Sequence, residues 1–285
     1  FLQRQGYDVT FLPVEEDGSL DICMLHDMIR PDTAVVSIMW ANNETGVLFP
    51  IEEVEAICRS KEVPFHTDAI QAAGKLTIDV QSVEVNYLSL SAHKIYAPKG
   101  IGALYVKKGT PYSSFIFGGG QESGRRAGTE NVAGIVGFGR AAQMALEDSG
   151  SVKRIEELRD RMESEILNSI PQTSRNGCKS QRLPNTSNIA FDGVESEALL
   201  LKLDRLGICA SSGSACTTGS LEPSHVLLAM GVPNRRALSS VRFSLGHYSS
   251  EGDVDFLVKH LPDIVSELRG QVPKVKANRT KTEAH

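Results

Sequence analysis

Residues 63–106 read VPFHTDAIQAAGKLTIDVQSVEVNYLSLSAHKIYAPKGIGALYV, and this stretch decides the fold. Val63–Thr67, Tyr87–Ser91 and Ile101–Val106 are short β-branched and apolar runs of strand length, set apart by polar and glycine-containing segments. Upstream, Ala34–Met39 is a run of the same kind, and Ile51–Lys61 has helical spacing. Such alternation predicts an α/β sheet with mixed or parallel strands. Ligands of such sheets sit at the carboxyl ends of strands, where loops begin. Asn43, Asp68 and the pair His93–Lys94 each fall just after one of these runs.

Further along, Gly118–Gly120, Gly124 and Gly128 predict a loop able to approach an anion closely, ahead of a helical region Val132–Leu146. Val152–Ile170 has apolar and charged residues at helical spacing and leads into a second unit of mixed helices and strands. The expected division is a large domain over 1–150, a smaller α/β domain over 151–272 and a polar, disordered tail over 273–285. A chain of 285 residues suits that arrangement. Its 30 basic and 35 acidic residues leave a formal net charge of -5, which points to neither nucleic acid nor an anionic membrane surface as partner. No apolar run reaches the length of a membrane span and the start lacks the order of a signal peptide, so the expected location is cytoplasmic. Five widely spaced cysteines (Cys23, Cys58, Cys178, Cys209, Cys216) predict neither a disulfide framework nor a paired C-x-x-C site. The chain opens at Phe1 in what reads as the middle of an α/β unit, so it is expected to be a fragment.

Several residues could carry chemistry. Lys94 stands at a strand exit, where an amine can be partly desolvated and lose the proton that Schiff-base formation requires; alone, it could equally be a solvated surface charge. Asp68 ends another run and could keep a pyridine nitrogen protonated, with Gln71 on a phenolic oxygen, or could simply cap a helix. Cys216 lies in a run of small residues, Ala210–Ser220, with too little apolar bulk for a core. It reads as an accessible nucleophile or carrier, or else as an incidental thiol on a flexible loop. Cys209, within the apolar run Leu206–Ala210, reads as a core thiol. Arg242 falls inside the alternating run Ser240–Gly246, where a guanidinium requires a carboxylate partner. That partner is either an internal Asp or Glu, or the carboxylate of an amino-acid substrate.

Taken together, Asn42-Asn43-Glu44-Thr45-Gly46, His66-Thr67-Asp68-Ala69-Ile70-Gln71, Ser91-Ala92-His93-Lys94, Arg126-Ala127-Gly128-Thr129, SSGSACTTGSLEPSHVL over 211–227 and SSVRFSLG over 239–246 resemble the cysteine desulfurases. These are a branch of the class V aminotransferase group of fold-type I enzymes that use pyridoxal 5'-phosphate (PLP). The resemblance runs nearly end to end. It implies a large α/β domain with a mainly seven-stranded mixed sheet, incomplete here, and a smaller α/β C-terminal domain. It also implies conversion of L-cysteine to L-alanine. Carried over position by position, it makes Lys94 the Schiff-base lysine, Asp68 the pyridinium partner, and Asn43 and Gln71 ligands of the ring substituents. Ser91 and His93 would bind the phosphate, and Thr129 would reach the phosphate of the neighbouring subunit of a homodimer. Arg242 would hold the substrate carboxylate. Cys216 would take the sulfur as a persulfide, pass it to a scaffold protein of iron–sulfur cluster assembly, and stand as a metal ligand through contact with a cluster. NETGVLFP over 43–50 and TTGSL over 217–221 are similar to the nitrogen-fixation type, NifS, which implies a role in nitrogenase metallocluster synthesis.

The family's opening Asp-Asn-Asn-Ala-Thr-Thr region, its phosphate-cradling Ala/Thr turn and its ring-stacking histidine have no counterpart in this sequence. Two rival readings share much of the pattern. A selenocysteine lyase or other class V member would need Asp68 and Lys94 but no Cys216. A non-catalytic scaffold would keep the fold and bind no cofactor.

Overall fold

The computed structural model describes residues 1–213 and 222–271. Cys216 and the tail 273–285 lie outside the described residues. Strands β1 (Val36–Met39), β2 (Phe65–Asp68), β3 (Tyr87–Ser91) and β4 (Gly102–Val106) form one sheet in chain order. The first three are parallel and β4 runs antiparallel to β3, so the sheet is mixed. β2 starts two residues later than the apolar run because Pro64 has no N–H to give a ladder. It therefore ends on Asp68, in register with Met39 and Ser89.

Side-chain alternation gives this sheet two unlike faces. Val36, Ile38, Phe65 and Leu88 are buried with Leu25 of helix α1 (Ile22–Met28) and Val54 and Cys58 of α2 (Ile51–Ser60). Helix α2 forms because Ile51, Val54, Glu55 and Cys58 recur at helical period, with Glu52 and Glu53 in the first turn beside the positive end of its dipole. Burying a side chain such as Phe65 contributes about 1.5–3 kcal/mol. The other face is polar across three strands. Ser37 Oγ lies 2.8 Å from His66 Nδ1, and His66 Nε2 lies 2.9 Å from Ser89 Oγ. Burial holds the His66 imidazole below its ordinary pKa, outweighing the opposing charge of Asp68. A neutral ring can accept from one serine and donate to the other.

The second sheet is antiparallel, with β5 (Thr173–Asn176), β6 (Thr186–Phe191) and β7 (Ser240–Ser244) in that order. Three helices cover it: α4 (Ser149–Ser169), α5 (Ser196–Arg205) and α8 (Glu251–Gln271). Its core joins Leu158, Met162 and Ile166 of α4 to Ile189, Phe191, Val241 and Phe243 of the strands and Leu261 of α8, separate from the core of the first sheet. Helix α4 begins at Ser149, so a boundary at residue 150 falls in its first turn. Helix α3 (Val132–Glu147) precedes it and crosses close to the loop after β3, with a Cβ at Gly137 coming 3.0 Å from Pro98 Cδ. Among the described residues no helix is long and apolar enough to cross a membrane.

Cys209 is exposed, contrary to the core position expected from its apolar neighbours. Ile208 and Ala210 on either side pack against the second core, and an extended segment that turns alternate side chains inward must turn Cys209 out.

Candidate active site

The ends of β2 and β3 carry most of the expected residues. Asp68, half-buried, accepts the Ile70 backbone N–H at 2.9 Å, which turns the chain at the strand end and ties one carboxylate oxygen to that turn. Gln71 follows on that turn. From Ser91 the chain enters a 3₁₀ turn, Ala92–Ile95, closed by Tyr96 in the left-handed conformation at φ 68°. Ala92 and Ile95 are its buried anchors, so His93 and Lys94 between them project outward. Ser91 Oγ sits 2.9 Å from His93 Nδ1, bringing hydroxyl and imidazole together.

Lys94 is exposed rather than desolvated. The desolvated amine is Lys75, one turn after Gln71, whose Nζ donates to the Gln71 carbonyl at 2.9 Å. Burial, helped by the charge of Lys94, pulls Lys75 down to about 8. Gly74 explains the approach of the two turns: it lies at φ +71°, and a Cβ there would meet Ile95 Cγ2 at 2.8 Å. Sequence reasoning missed Lys75 because a lysine after a glycine carries no signal of burial.

The exit of β1 is built differently. Asn42 Oδ1 accepts the backbone N–H groups of Glu44 (2.8 Å) and Thr45 (3.0 Å), winding residues 42–46 into a turn. This turn docks on the second sheet. The Asn43 carbonyl accepts from Arg242 Nη1 at 2.8 Å, Glu44 O from Asn188 Nδ2 at 3.2 Å, and Gly46 O from Leu183 N at 2.7 Å. Arg242 is also paired through its backbone to Ser211 in both directions, at 2.6 and 3.1 Å. Thus Asn43 and Arg242, 199 positions apart, meet directly. The Glu44 carboxylate, unremarked in the sequence, accepts the Ser224 hydroxyl at 2.5 Å.

Two ties relate this junction to the lysine turn. The Trp40 N–H donates to the Asp68 carbonyl at 2.8 Å, and Tyr96 Oη accepts the His247 N–H at 2.7 Å just beyond β7. Thr129 stands apart: it lines a cleft with Gly102, Leu104, Arg125 and Asn131, and none of the other expected site residues borders that cleft. Cys216 lies outside the described residues, although the chain on either side of it, at Gly213 and Ser224, is described.

Comparisons with known proteins agree with one another. A family model described as aminotransferase class-V matches residues 1–257. A cysteine desulfurase of a Nostoc species is 50% identical over 273 residues, covering 95% of this chain and 68% of the relative. The cysteine desulfurase NifS of Azotobacter vinelandii is 48% identical over 279 residues, covering 98% of this chain and 69% of its own length. Among solved structures, a NifS-like protein superposes with a TM-score of 0.87 at 38% identity, covering 94% of this chain and 70% of that one.

Proposed function

The chain belongs to the class-V aminotransferase family and, within it, to the cysteine desulfurases, and from that premise we propose that it takes sulfur from L-cysteine, releases L-alanine and holds the sulfur on Cys216. The observation that carries this reading is the set of groups at the ends of adjacent parallel strands: the Asp68 carboxylate, the Ser91–His93 pair and the Lys94 amine.

These groups fit PLP by their chemistry. A hydroxyl and an imidazole suit a phosphate, a carboxylate suits a pyridinium nitrogen, and an exposed amine suits an aldehyde. Gln71 and Asn43 would hold the ring substituents, and Lys75 would add positive charge beside Lys94. When bound, PLP supplies a sink for electrons released at the substrate's α-carbon.

The protein's own residues do the rest. Arg242 grips the substrate carboxylate; its guanidinium already reaches the Asn43 carbonyl, so it stands at the junction of the two sheets. Lys94 removes and returns a proton at the α-carbon. The Cys216 thiolate attacks the substrate sulfur, a new S–S bond forms as the Cβ–S bond breaks, the bonding pair stays on Cβ and takes up a proton there, and the carbon skeleton leaves as alanine. Sulfur then passes to an acceptor scaffold for iron–sulfur cluster assembly. The likeness to NifS favours nitrogenase clusters as the destination and a cluster contact at Cys216.

Further parts of the proposal are a homodimer, in which the detached position of Thr129 supports a role toward the neighbouring subunit's phosphate, a cytoplasmic location, and a division at residue 150 supported by the two separate cores. The test is a titration of the purified protein with PLP followed by L-cysteine. A visible absorption band that needs Lys94 and alanine formation that needs L-cysteine are expected. A protein that binds no PLP would be the scaffold of the rival reading.

A further inference from the structure

We infer that Glu44 is a positioning residue for sulfur transfer, its buried carboxylate fastening together the two chain ends from which the segment bearing Cys216 departs and to which it returns. This rests on the desulfurase reading for its consequence, but the fastening itself is visible in the described residues. Glu44 is 1% exposed. Burying a carboxylate is costly unless hydrogen bonds compensate, so its position needs a reason.

The reason lies on both sides of residues 214–221. On the return side, Ser224 donates its hydroxyl to Glu44 Oε2 at 2.5 Å while its oxygen accepts the Leu227 N–H at 3.2 Å, capping the short helix α6 (His225–Ala229). The single hydroxyl proton is thereby committed to Glu44. On the departing side, Gly213 lies at φ +149°, and a Cβ there would stand 3.1 Å from Glu44 Oε2 and 3.7 Å from Ser224 Cβ. One carboxylate oxygen therefore binds the returning end and stands where a side chain on the departing end would crowd it, so the two ends lie side by side at Glu44. The departing end is also tied to the substrate grip, since Ser211 pairs with the Arg242 backbone and its hydroxyl reaches Gly213 O at 3.0 Å.

Glu44 is itself held firmly, its N–H on Asn42 Oδ1 and its carbonyl on Asn188. Its neighbour Asn43 receives Arg242. The turn 42–46 thus carries, on adjacent residues, the arginine that fixes the substrate and the anchor that fixes the base of the sulfur-accepting segment. Their relative placement decides whether the thiolate meets the substrate sulfur, and a displacement of about 1 Å can cost a hundredfold in rate.

The experiment compares Glu44→Ala, Ser224→Ala and Glu44→Gln with the unsubstituted protein by three readouts, the first two on PLP-loaded protein. These are exchange of the substrate α-proton, single-turnover persulfide formation on Cys216 by mass spectrometry, and the rate at which iodoacetamide alkylates Cys216 without PLP. The expected result is α-proton exchange within twofold of the unsubstituted protein, persulfide formation slowed about tenfold or more, and a changed alkylation rate in both alanine variants. Glu44→Gln, which keeps an acceptor for Ser224, restores persulfide formation. Equal losses of proton exchange and persulfide formation, or no loss of either, would overturn the inference. Ser224→Ala leaves the buried turn intact and decides the matter if Glu44→Ala does not fold. Proton exchange without any persulfide on Cys216 in the unsubstituted protein would instead sink the desulfurase reading, while the alkylation rates would still report on the fastening.

Discussion

Glu163 offers a perturbation whose size can be worked out. It is buried on α4 and accepts hydrogen bonds from Arg182 through both nitrogens of the guanidinium fork, from Arg175 Nη1 at 2.9 Å and from Ser187 Oγ at 2.7 Å. Burial alone would raise its pKa, but these bonds outweigh it and hold the group at about 2, against 4.5 for an ordinary glutamate. Between those two values the unfolded chain binds more protons than the folded one, so stability rises with pH through that window. Glu163 therefore contributes about 3 kcal/mol above pH 4.5, at 1.36 kcal/mol per pKa unit, and the contribution disappears as pH falls toward 2. In Glu163→Gln the neutral side chain leaves Arg182 and Arg175 short of a counter-charge, at a cost of about 3–5 kcal/mol at pH 7, and the slope below pH 4.5 flattens. The effect should reach the proposed site, because Arg182 bridges to Val47 and the next residue donates to the Gly46 carbonyl. Urea unfolding followed by far-ultraviolet circular dichroism between pH 2.5 and 7, with hydrogen exchange at β5 and β6, measures it. Parallel curves of stability against pH for the two proteins would refute the reasoning. Fluorescence of Trp40, the single tryptophan, reports the first sheet separately.

Two further outcomes follow from single positions. Gly46→Ala should destabilise the protein by about 2–4 kcal/mol in urea, since φ there is +79° and the new methyl would stand 3.1 Å from Thr186 Cβ; a change under half a kilocalorie would mean that the turn yields freely. Lys75 has a folded pKa of about 8 against 10.5 unfolded, so stability should rise with pH between those values, and Lys75→Met should remove that rise from the difference between the two proteins. An unchanged alkaline limb would mean that the Lys75 ammonium is solvated.

Much of this was legible in the sequence because periodicity reports faces. Tyr87–Ser91 was bounded correctly, and a mixed sheet with polar candidate groups just after its strands is what the alternation of elements leads one to expect. Pro64 moved the start of β2 by two residues, a backbone effect that an apolar count cannot register. Pairings between distant residues were not legible. Arg242 reads as a cation in need of a partner, but its meeting with the Asn43 carbonyl depends on how two sheets dock. Lys94 and Lys75 exchange the degrees of burial that their surroundings in sequence suggest, because the anchors Ala92 and Ile95 turn Lys94 outward while Gly74 lets the Lys75 turn sink. Cys209 looked buried by composition and is exposed by alternation. Glu44 could have drawn notice only as a charged residue inside a turn whose neighbours are amides and glycine.

The most direct test of the central claim is a single turnover of the PLP-loaded protein with L-cysteine labelled with sulfur-35. One persulfide per chain is expected on the peptide containing Cys216, matched by one alanine, with loss of both the label and turnover in Cys216→Ala while the PLP absorption band persists. Full alanine formation by Cys216→Ala, with sulfur released directly to solution, would contradict it and favour a lyase that needs no thiol carrier.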